Sequence, residues 1–145
     1  MSSGSTYNDI LYSLVRWGIF AVAIALLPIL ISILGSVTRG DDVGFVELLQ
    51  NGELFLVSAA IVGAGIADLV AEGGSRFRTL KLTTGGAAGL VAITAAAWFA
   101  DVAAGRRDGL ELDSSGITTG SLIVFACALV AGASCIVVAE LAKKA

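Results

Sequence analysis

The chain contains no histidine. That removes the commonest general base, the commonest metal ligand and the side chain that titrates near neutral pH. Charge is scarce too. Only 14% of the residues are Asp, Glu, Lys or Arg, against about a quarter in soluble domains. The net charge of −3 and the want of a basic cluster with interleaved aromatics argue against a nucleic-acid partner. There are two cysteines, Cys127 and Cys135. Eight residues of helix would hold them about 12 Å apart, too far for a disulfide, so they read as packing residues. The sequence has no dinucleotide fingerprint, phosphate loop, nucleophile elbow or CxxC pair. No residue is therefore assigned a catalytic, metal-binding or cofactor role, and the chain reads as non-enzymatic.

What the chain does have is apolar sequence in long blocks. It is 57% hydrophobic, with mean hydropathy +0.91. Four blocks approach the twenty residues that cross a bilayer: about 11–34, 54–71, 82–102 and 117–141. The fold expected is an all-α integral membrane protein, a small bundle of four transmembrane helices in one domain over 1–145. Residues 1–9 read as a loose polar terminus. The first block is longer than a signal-peptide core and lacks a basic flank, so it reads as a retained span.

The first block is bulky, with Trp17 and Phe20 suited to lipid or loose packing. Its one proline, Pro28, predicts a kink. The other three are rich in small residues. Gly63, Ala67, Gly85, Gly89, Ala131 and Cys135 are the helix-packing candidates, with Gly85 and Gly89 forming a GxxxG. Between the first two blocks, residues 43–50 carry the spacing of a short interfacial helix. Residues 103–116 read as a solvated loop. Thr83, Thr84, Thr118 and Thr119 read as helix caps, with pore lining as the weaker alternative. Residues 54–72 also overlay 122–140 without a gap. A duplicated helical hairpin would produce that match, and so, more readily, would chance among helices of Ala, Val, Leu and Gly.

Asp68 is the one acid in the block 54–71, about three residues from its inner end. It shares a helical face with Ala60 and Ala64, which predicts that it points into a helix interface. Arg16 is the partner expected for it, either as a structural ion pair or as part of an ion path. Asp101 and Glu140 lie near span ends, with Lys143 and Lys144 in helical reach of Glu140. Arg76, Arg78 and Lys81 form the most basic connection. Counting Lys and Arg near span ends puts that connection and both termini in the cytoplasm, with bacterial plasma membrane as the expected location. The basic connection would then dock a protein or anionic lipid.

Two functions follow. The first is a structural or interaction subunit (anchor, sensor or effector) in a homo-oligomer or with a partner membrane or cytoplasmic protein. The alternative is a small oligomeric ion channel or carrier using Asp68 at a polar helix interface. The bilayer is a partner in both.

Overall fold

A computed structural model of the chain describes residues 3–23, 27, 30, 31, 34, 38, 53–71, 77–110 and 113–144. These are almost wholly helical, with no strand among them. Helix α1 is Ser3–Trp17, and a π-helical turn, Gly18–Val22, continues it. Helices α2, α3 and α4 are Glu53–Ala71, Arg78–Arg107 and Ser114–Lys144. These last three are long and apolar enough to cross a membrane. The apolar helix described in the first block, Ile10–Ala21, is shorter than a span. Leu27, Leu30, Ile31 and Leu34 are also helical and exposed. Pro28 and the interfacial helix expected at 43–50 lie outside the described residues.

Three boundaries differ from the sequence expectation. Helix α1 starts at Ser3, so most of the polar segment read as a loose terminus is helical. Apolar content marks where a helix enters lipid, not where the helix begins. For the same reason α3 extends beyond 82–102 at both ends. At about 1.5 Å per residue it spans roughly 45 Å, more than the ~30 Å hydrocarbon layer. Its end is set by backbone geometry in what read as a loop. Leu110 N–H donates to Gly105 O at 3.0 Å and Gly109 N–H to Arg106 O at 3.2 Å, with Gly109 at φ +70°. That pattern is a Schellman stop, which needs a residue tolerating the left-handed region.

The threonines are not caps. Asp113 opens α4: its Oδ1 accepts from Ser115 N–H at 3.0 Å, and its carbonyl accepts from Ile117 N–H at 3.0 Å. Thr118 Oγ1 instead donates back to Ser114 O at 2.8 Å, and Thr83 Oγ1 to the carbonyls of Thr79 and Leu80 at 3.1 Å. Thr94, Ser58, Ser121 and Ser134 do the same within their own helices. A hydroxyl in an apolar slab needs an acceptor, and the preceding turn supplies one.

Helices α2, α3 and α4 pack mutually, and α1 lies against α4. The buried stripe of α2 runs through Leu54, Ser58, Ile61, Gly65 and Leu69, with Phe55 and Val62 beside it. One core cluster joins Val62 and Leu69 to Ala88, Ala128, Cys135 and Val138. A second joins Phe55 to Ala95, Val102, Ile117 and Val124. Helices α2 and α4 are therefore parallel. Over the second cluster, Trp98 stacks on Phe55 with centroids 5.3 Å apart and covers Gly120.

Helices α2 and α4 approach closely at Gly65. A β-carbon there would lie 2.9 Å from Gly132 Cα and 3.0 Å from Gly132 O. On the other side of the contact, a β-carbon at Gly132 would lie 2.5 Å from Trp17 Cζ2. Trp17 is thus seated on the glycine of α4, not turned to lipid as its bulk suggested. Gly65→Ala must push two backbones apart and should cost about 1–3 kcal/mol. Gly63→Ala, where nothing lies within 4 Å, should be neutral or slightly stabilising through helix propensity. Thermal unfolding in detergent, with both variants beside the parent, checks the contrast.

Candidate functional site

One group of polar side chains meets across helices at the end of the bundle where α2 and α4 finish and α3 begins. Glu140, in the last turns of α4, is only 7% exposed. Its Oε1 accepts from Lys143 Nζ at 2.8 Å and from Ser13 Oγ at 2.7 Å. Lys143 is one helical turn away on the same helix, whereas Ser13 comes from α1. One carboxylate thus serves an intrahelical ion pair and a cross-helix hydrogen bond at once. Charge-assisted bonds of this kind are the stronger class, and a carboxylate this buried requires them.

A cavity of about 70 Å3 opens beside this group, lined by Ser13, Arg16, Asp68, Ile136, Glu140 and Lys143. The structure therefore brings Arg16 and Asp68 to one site. It does not join them: among the described residues no ion pair links the two, and Asp68 is exposed. The face of α2 expected to be buried is the open one, because Ala60 is exposed with Asp68 and Ala64 is half-buried. The register explains this. The packing glycine is Gly65, and Ala60, Ala64 and Asp68 lie on a neighbouring stripe.

The other candidates separate in the same way. Ala131 and Cys135 pack in the core between α2, α3 and α4. Gly85 faces Leu69, whose Cδ2 would be 3.4 Å from a β-carbon there. Gly63 and Ala67 are exposed, and Gly89 has nothing within 4 Å of a β-carbon. Asp101 is exposed. Arg78 and Lys81 occupy the first turn of α3, and Arg76 lies outside the described residues. No group of His, Cys, Asp and Glu able to hold a metal occurs among the described residues.

Sequence reasoning gave Glu140 little weight, turned Trp17 toward lipid, and left Ser13, Gly65 and Gly132 out of the site and packing candidates. A signal for Glu140 was present in its i, i+3 spacing to Lys143. Nothing local pointed to Ser13, whose partner lies 127 residues away.

Two apolar grooves flank the bundle. One, between α3 and α4, has a volume of about 620 Å3 and is lined by Thr83, Ala87, Val91, Cys127, Val130 and Ser134 among others. The other lies between α2 and α3. Comparison with family models, curated proteins and solved structures finds no match to this chain. The functional argument therefore rests on its own residues.

Ser13→Ala should cost about 1–2 kcal/mol, as expected for a hydrogen bond to a charged group. Combined with Glu140→Gln it should cost less than the sum of the two single changes, because they share one bond. A double-mutant cycle on thermal stability in detergent measures that coupling.

Proposed function

We propose that the chain is a four-span integral membrane protein acting as a non-enzymatic interaction subunit, self-assembled in the plasma membrane of a bacterium. The first block provides the remaining span. The end carrying Arg78, Lys81 and Lys143 is cytoplasmic by the excess of positive charge, which puts both termini inside.

The observation that carries the proposal is the groove between α3 and α4. Helix α3 is the least buried of the three long helices. Its exposed side presents the bulky side chains of Leu90 and Ile93. A second copy of the chain offers both halves of such a contact, bulky side chains and the small-lined slot that receives them. Apolar burial drives nothing in lipid, so close packing of this kind is what associates membrane helices. The channel reading has the weaker support: Asp68 and Arg16 line a cavity of about 70 Å3, room for a few waters.

Cys127 is exposed in the groove and Cys135 is buried, so the native cysteines report on the interface. Mild oxidation or a short bis-maleimide should give a covalent dimer that Cys127→Ala abolishes and Cys135→Ala leaves intact. Native mass spectrometry of the parent and Asp68→Asn should show the same defined oligomer. A monomer in both would overturn self-assembly. An Asp68→Asn protein that keeps its oligomer but changes ion flux in liposomes would favour the channel.

A further inference from the structure

The small cavity where α1 meets the ends of α2 and α4 holds two opposite charges that do not pair. Arg16 of α1 and Asp68 of α2 both line it, with Ser13, Glu140 and Lys143. Glu140 has its partners in Ser13 Oγ and Lys143 Nζ. Among the described residues, no ion pair joins Arg16 or Asp68 to another side chain. Both are exposed. A charged group on a membrane helix is costly, and a direct pair would be the simplest way to offset two of them. The structure instead sets this guanidinium and this carboxylate around one cavity of about 70 Å3.

Depth decides what can reach the cavity. Asp68 is three residues from the end of α2 at Ala71, and Lys143 is one from the end of α4 at Lys144. At about 1.5 Å per residue, both lie within roughly a turn of the helix ends, the level of lipid headgroups. The π-helical turn that continues α1 leads from Arg16 into the first apolar block, and there Ile19 and Phe20 are 61% and 64% exposed. A headgroup at the cavity therefore has apolar side chains beside its acyl chains.

We propose that this cavity binds the headgroup of a phospholipid carrying a primary ammonium, of which phosphatidylethanolamine is the simplest. The phosphate meets the guanidinium of Arg16, whose planar fork suits phosphate oxygens. The ammonium enters the cavity and donates to the Asp68 carboxylate. It also donates to Ser13 Oγ, which gives its own proton to Glu140 and keeps lone pairs to accept with. Charge complementarity selects this occupant. A simple cation would leave Arg16 unmatched, and a simple anion would leave Asp68 unmatched. A choline headgroup carries the right charges but no N–H, and its three methyl groups overfill a cavity with room for a few waters. Soluble phosphoethanolamine shares the headgroup chemistry, but only the lipid uses the exposed Ile19 and Phe20. The proposal rests on the helices crossing a bilayer, and not on self-assembly or orientation.

The test is native mass spectrometry of the full chain in detergent with an equimolar lipid mixture. The mixture holds phosphatidylethanolamine, its N-methyl and N,N-dimethyl forms and phosphatidylcholine, all with the same acyl chains. One phosphatidylethanolamine per chain should be retained, preferred over phosphatidylcholine by roughly tenfold, as a hydrogen bond to a charged group allows. Retention should fall with each added methyl. Asp68→Asn should bring the preference close to parity. Arg16→Gln should lower retention of all four lipids and keep the preference. Asp101→Asn, which alters an exposed acid toward the far end of α3, should change neither. Equal retention across the methyl series by the parent would overturn the site without any variant. So would a preference that survives Asp68→Asn, or complete displacement of the lipid by millimolar phosphoethanolamine. Oligomeric state, read from the same spectra, reports separately on self-assembly.

Discussion

The contact on which the bundle depends is the one between two backbones at Gly65 and Gly132. A β-carbon at Gly65 would collide with the Gly132 backbone, so the crossing exists because Gly65 lacks one, whereas a β-carbon at Gly132 would meet the Trp17 ring. In a hydrocarbon slab, helices gain nothing by leaving the surrounding apolar medium. What they gain is dispersion between closely apposed surfaces and hydrogen bonds that lipid cannot offer. The glycine pair gives α2 and α4 that proximity, and Trp17 of α1 is seated on the outer side of the same glycine. Three helices are thereby registered at a single level of the bundle.

The polar end follows from that register. With Trp17 set against Gly132, the antiparallel run of α1 and α4 brings Ser13 one turn earlier opposite Glu140, about two turns later. The hydrogen bond between them is a consequence of the glycine crossing as much as a cause of stability. A slip of one residue on α4 would rotate Glu140 by about 100° and take its carboxylate away from Ser13. The cost of that arrangement makes the cluster a check on register, the use of buried polar groups that is best attested.

Three of the four expected spans were legible in the sequence as long apolar helices, and the faces were not. Blocks 54–71, 82–102 and 117–141 each fall within a helix of the structure, because an apolar run long enough to cross lipid admits few other structures. Which side of each helix faces its neighbours needs amphipathic contrast, and helices apolar all round provide little. Glycine and alanine recur every two or three positions in α2, so Gly63, Gly65 and Ala67 are equivalent candidates until the partner backbone is known. Asp68 was misplaced for the same reason, since its stripe was assigned from the small residues it shares. Cys135 and Ala131, chosen from a small-residue face of α4, lie in or against the core cluster.

The same lack of contrast gives the two flanking grooves their meaning. Both are apolar, of similar volume and bounded by α3, so shape alone would treat them alike. Their difference lies where each groove meets water. One ends among Thr83, Thr84 and Ser134, and the hydroxyls of Thr83 and Ser134 are already bonded to their own helices. It therefore makes no demand for a polar partner and suits another apolar helix. The other ends at Arg78 and Lys81, cations that lose hydration when anything covers them. In a chain with so few charged residues, two basic side chains on one turn of α3 are enough to distinguish its two sides.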